Sequence, residues 1–172
     1  MTEVDEWRGY AKLLGFPLPQ QAEKDYLQDV LLRSIYSAIG DETVLRGGTA
    51  ISKLCSSGRF SEDLGFVLNS TCTAGKAKII EKLEQGIRGA GSYFQVSYLE
   101  EPYKEMANYT VSIYGPLYLA SRNDQAKQKV SINLNTYETN LAPARASCRA
   151  MGLSASMAPA FSLLRRMTRP GR

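Results

Sequence analysis

Histidine is absent from the 172 residues, and the three cysteines, Cys55, Cys72 and Cys148, are widely spaced with no C-x-x-C pair. That removes Cys/His zinc ligation, histidine general-base chemistry and Ser-His or Cys-His nucleophile pairs together. Any chemistry falls to carboxylates, Lys/Arg, hydroxyls and backbone. No apolar run approaches the roughly 18 residues of a membrane span. The acidic start MTEVDEWRGY lacks the apolar stretch of a secretory signal, so a cytoplasmic protein with no membrane association is expected. Tryptophan occurs once, at Trp7, which reads as a packing anchor.

Acidic residues are also missing from one region. After Glu138 the chain holds six arginines and no Asp, Glu or Lys, so the net charge of +4 belongs to the tail and residues 1–138 carry 15 basic against 17 acidic residues. The segment 139–172, rich in Ala, Ser, Pro and Arg, has little periodicity. It reads as a poorly structured or replaced C-terminal part, the product of an altered reading frame or truncated domain, or a basic tail able to touch nucleic acid. Two parts are therefore expected: a domain over 1–138 and this tail.

What is present is an alternation of helices and strands. Leu27, Val30, Leu31, Ser34, Ile35 and Ala38 recur at helical spacing between Pro19 and Gly40. A short strand at Val44-Leu45 stops at Gly47-Gly48, and Thr49 is placed to cap a helix that Gly58 closes. Leu64, Phe66 and Leu68 alternate along a second strand. Ala77, Ile80, Leu83 and Ile87 line another helix. YFQVSYLEE, NYTVSIYG and KQKVSINLNTYE read as strands, the last with Val130, Ile132 and Leu134 on its buried face. The plan is α+β with a small mixed sheet flanked by helices. The tyrosines at 93, 98, 103, 109, 114 and 118 could stack bases, though strand propensity accounts for them more simply.

The stretch VLRGGTAISKLCSSGRFSEDLGFVL carries the chemistry. Two glycines between a strand and a helix let backbone approach a ligand, and the helix start offers N–H groups to an anion. Thr49 adds a hydroxyl, and Lys53 lies one turn on. The stretch is neither a Walker A loop nor G-x-G-x-x-G. Fourteen residues after Thr49 comes Asp63. A strand carrying D-x-D aims both carboxylates to one face and, with a third from a neighbouring strand, can hold two Mg²⁺ ions for nucleotidyl transfer. Here the pattern is Asp63-Leu64-Gly65.

EKDYLQDVLLRSI, VLRGGTAISKL and RFSEDLGF, in that order, resemble the nucleotidyltransferases of the AbiEii/AbiGii toxin family, and IYGPLY looks like a further shared segment. The resemblance covers about residues 20–138. It implies a DNA-polymerase-β-like nucleotidyltransferase fold and a toxin of a toxin-antitoxin or abortive-infection system. Such a toxin transfers NMP from an NTP, with Mg²⁺, to an RNA or protein acceptor, and a cognate antitoxin restrains it. Carried over residue by residue, Gly47, Gly48 and Thr49 would hold the triphosphate. Lys53 would neutralise phosphate and serve catalysis, Arg59 and Ser61 would brace the loop or phosphate, and Asp63 would be catalytic and the first metal ligand. The second metal ligand of the family falls on Gly65, the third on Asn133, and an arginine of the family on Tyr137. Two of three carboxylates are thus missing. An impaired or inactive member, acting as a nucleotide-binding or interaction remnant, is the alternative to an active enzyme. A nucleic-acid-binding module working through the tail is a third reading.

Overall fold

The structure, a computed structural model, describes residues 3–55, 60–69, 72, 74–93, 103–105, 107–121 and 127–139. Within these residues the order is α1 (Glu3–Leu14), α2 (Pro19–Ile39), β1 (Thr43–Arg46), α3 (Gly47–Cys55), β2 (Asp63–Asn69), α4 (Lys76–Ala90), β3 (Tyr103–Glu105), β4 (Asn108–Ile113), α5 (Pro116–Ser121) and β5 (Gln128–Thr139). Of the expected strand YFQVSYLEE, Tyr93 ends a 3-10 turn (Gly91–Tyr93) and 94–101 lie outside the described residues, as does the tail 140–172.

The five strands form one mixed sheet in the order β1-β2-β5-β4-β3. β2 and β5 run parallel at its centre, and the other three pairings are antiparallel. Period-2 alternation divides the sheet into two faces. Leu64, Phe66 and Leu68, with Val130, Ile132 and Leu134 and with Tyr109, Val111 and Ile113, enter one core. Leu27, Leu31 and Ile35 of α2 and Ile79, Leu83 and Ile87 of α4 complete it. Tyr109 is thereby buried, its hydroxyl 3.0 Å from Glu84, and it offers no ring for stacking. The opposite parity, with Asp63 and Gly65 on β2 and Ser131, Asn133 and Asn135 on β5, is at least partly open to solvent. The α+β plan read from the sequence is the one observed.

Four local readings are corrected or extended. α3 starts at Gly47, so Thr49 sits inside its first turn and is not the cap. The buried side of α4 is Ile79, Leu83, Gly86, Ile87 and Ala90, while Ala77 is exposed and Ile80 half-buried. Gly86 sets that rotation: a Cβ there would stand 2.6 Å from the Ile35 Cα, so the glycine must face α2. α1 and α5 were not anticipated. Trp7 is buried as expected, edge-on to Tyr10 at 5.8 Å and tilted against Tyr26 at 6.1 Å, and it fastens α1 to α2.

Candidate active site

Gly47 follows the last residue of β1 at φ +82°, a left-handed conformation that a side chain would strain. The chain turns there into α3, bringing Thr49 over β2. Thr49 is buried, and its hydroxyl donates to the Asp63 carbonyl. Thr49 Oγ1 also lies 2.9 Å from Ser61 Oγ; because its one proton goes to the carbonyl, Ser61 is the donor in that pair. Gly48 leaves room for this contact, since a Cβ there would come 2.9 Å from Ser61 Oγ. Through Thr49, the Gly47–Thr49 turn, Ser61 and the Asp63 backbone are one assembly. Arg59 lies outside the described residues.

Helix α2 clamps the loop before β2 from the other side. Gln28 Nε2 donates to the Ser61 carbonyl at 2.8 Å, and Lys24 pairs with Glu62 at 3.0 Å. Lys53 meets a different environment from the one expected of it. Its ammonium is 2.6 Å from Asp25 Oδ1 and 2.8 Å from Asp29 Oδ1, and it also donates to the Asp25 carbonyl at 2.9 Å. To reach a phosphate it would have to leave both carboxylates. Partial burial raises the Asp29 carboxyl above the usual range, against the opposing pull of Lys53. Tyr10 and Tyr26 at the same cluster are raised by burial first, then Tyr10 by Asp25 and Asp29 and Tyr26 by Asp29.

The strand register places the family's metal-ligand positions side by side. Gly65 pairs with Arg46 on β1 and with Asn133 on β5, and Asn133 pairs in turn with Asn108 on β4. Asp63 pairs with Ser131 in the neighbouring row. Positions 63, 65 and 133 thus share the open face, on adjacent central strands. These three neighbouring positions carry one carboxylate, no side chain and one neutral amide. Among the described residues, no group of three or more His, Cys, Asp or Glu is placed to hold a metal ion. Mg²⁺ demands hard, mostly anionic oxygens in near-octahedral array, so this donor set does not fit a two-Mg²⁺ centre.

Sequence reasoning passed over Glu23, fully buried on α2. Its Oε1 accepts the Leu117 N–H at 2.8 Å and its Oε2 the Gln128 Nε2 at 2.9 Å, tying α2 to α5 and β5. Gly115 makes the approach possible, for a Cβ there would fall 2.3 Å from Glu23 Oε1. The signal was in the two motifs: the Glu of EKDY and the Gly of IYGPLY serve one another. Asp25 and Asp29, four residues apart on one face of α2, were likewise legible as partners for a cation.

No helix among the described residues is long and apolar enough to cross a membrane. No curated protein matches the chain. Among solved structures it is similar to MenT4, a nucleotidyltransferase toxin from Mycobacterium tuberculosis H37Rv, at 18% identity and a TM-score of 0.55. The match covers 80% of this chain and 44% of that one, so the chain spans less than half the length of that toxin. At this identity the likeness speaks for the fold. A family model described as nucleotidyl transferase AbiEii toxin, Type IV TA system, matches residues 29–155, about three quarters of the sequence. With the glycine turn, Asp63 and the strand register in place, the chain belongs to the AbiEii nucleotidyltransferase toxin family.

Proposed function

We propose that this chain binds a nucleoside triphosphate at the β1–α3 turn, and that NMP transfer to an RNA or protein acceptor is reduced by several orders of magnitude. Gly47, Gly48 and Thr49, braced by Ser61, form the phosphate cradle. Arg59, two residues before Ser61 in the sequence, is the further cationic residue assigned to the phosphates in this reading. Lys53 acts as a strut between α3 and α2 through Asp25 and Asp29. Asp63 is the remaining acidic group at the reaction centre. A cognate antitoxin is the partner that the family description suggests.

The observation that carries this reading is the register that sets Gly65 and Asn133 beside Asp63 on the open face. In phosphoryl and nucleotidyl transfer the protein contributes mainly positioning and charge stabilisation, so loss of two of three carboxylates removes most of the catalysis. The experiment is label transfer from radiolabelled NTPs to RNA and to protein, with Mg²⁺. The parent protein is expected near background. Gly65→Asp combined with Asn133→Asp should raise transfer by at least about 100-fold, the scale of a restored electrostatic contact. Parent activity equal to that of the double variant would refute the reading, as would parent activity that Asp63→Ala leaves unchanged.

A further inference from the structure

The site has lost anions, and it has a cation of its own. Arg46 ends β1 and is exposed, directly opposite Gly65 in the antiparallel ladder. Its chain lies over the glycine: a Cβ built at Gly65 would be 3.4 Å from the Arg46 carbonyl oxygen, 3.5 Å from its Cγ and 4.0 Å from its Nε. The guanidinium chain thus occupies space beside which a second carboxylate would stand. Beyond Gly65 the same row continues through the amides of Asn133 and Asn108. Positions 46, 63, 65 and 133 sum to no formal charge, where carboxylates at 65 and 133 would make the sum −2. Among the described residues Arg46 belongs to no ion pair.

We propose that this site binds the phosphates of a nucleoside triphosphate directly through Arg46, without a divalent cation. This rests on the nucleotide-binding reading above and replaces its metal requirement. A carboxylate cluster repels a triphosphate unless metal ions intervene. Here Asp63 alone opposes the anion, and Arg46 offsets it. Guanidinium is permanently charged, and its planar fork matches two phosphate oxygens, so it serves where a metal ion is not held. Arg46 is also the residue immediately before Gly47–Gly48, so cation and cradle sit on consecutive positions of the chain. Asn133 and Asn108 add neutral donors and acceptors that hold a hard cation far more weakly than carboxylates do.

The test is calorimetric titration of the full chain with ATP, once in EDTA and once in excess Mg²⁺. Affinity in EDTA is expected to equal or exceed that in Mg²⁺. Arg46→Ala should weaken binding in EDTA about 10- to 100-fold, the size of a charged hydrogen-bond pair, and Arg46→Lys should recover part of it. Asp63→Asn should tighten binding in EDTA, the reverse of its effect at a metal site. Gly65→Asp should weaken metal-free binding too, because the new carboxylate captures the guanidinium. Binding that appears only with Mg²⁺ would overturn the proposal and spare the nucleotide reading. Unchanged affinity in Arg46→Ala would do the same. Failure of folded protein to bind ATP in either condition would refute both.

Discussion

Replacing Gly86 by alanine adds one methyl group where α2 and α4 touch. The new Cβ would stand 2.6 Å from the Ile35 Cα and 3.2 Å from the Ile35 nitrogen and the Ser34 oxygen, all backbone atoms that cannot swing aside. Restoring ordinary contact requires the helices to part by roughly 1 Å, an overpacking strain of about 1–3 kcal/mol. The buried bond from Ser34 Oγ to the Gly86 carbonyl, 2.7 Å long, would stretch at a further cost of about 1 kcal/mol. Alanine's helix propensity returns about 1 kcal/mol. The net is a loss of about 2 kcal/mol, or a fall in Tm of roughly 4–8 °C for a chain of this size. Gly9 on α1 is the control, since nothing lies within 4 Å of a Cβ placed there. Gly9→Ala should gain about 0.5–1 kcal/mol and raise Tm slightly. Urea unfolding followed by circular dichroism reads both. A Gly86→Ala protein as stable as the parent would refute the account of how α2 and α4 pack.

Lys53→Met leaves Asp25 and Asp29 facing each other without their cation. Because the Asp29 side chain is 37% exposed, the expected loss is only about 1–2 kcal/mol of stability by urea midpoint, and it should shrink as pH falls and a carboxyl protonates. Glu23→Gln exchanges an acceptor for an amide against the Leu117 N–H and Gln128, and should cost about 1–3 kcal/mol in the same assay. Tyr10, Tyr26 and Tyr36 are all raised above a tyrosine's ordinary value of 10.0, chiefly by burial. The folded state therefore holds these protons longer than the unfolded chain, and stability should fall as pH rises from about 9 to about 11. Phenolate absorbance should lag until the protein unfolds; early titration of all the tyrosines would contradict the burial.

Local pattern carried the sequence reading a long way. The strand–Gly-Gly–helix–strand order, the position of Asp63 and the alternation of β2, β4 and β5 all follow from neighbours in the chain. What escaped it depends on distance. Glu23 meets Gln128 across 105 residues, and no periodicity announces that partnership. Thr49 looked like a cap because its local options favour one, whereas β2 supplies a better acceptor in the Asp63 carbonyl. Lys53 looked like a partner for phosphate because the two aspartates that hold it lie on another helix. On α4 the apolar residues alone suggested a face, but a glycine was the true contact point, and counting Gly86 as a packing residue gives the observed stripe. Arg46 drew no attention until the ladder set it opposite Gly65.

The parallel contact between β2 and β5 has a kinetic corollary. Asp63 finds Ser131 roughly 70 residues later in the chain, with α4, β3, β4 and α5 intervening. Closing so long a loop is entropically slow, so the α1–α2 pair and the β3–β4 ladder are free to form first. The candidate site, shared between these two central strands, would then be completed at the end of folding, when the last strand slots into the middle of the sheet. A nascent chain shorter than this would carry the glycine turn and Asp63 without the β5 wall beside them.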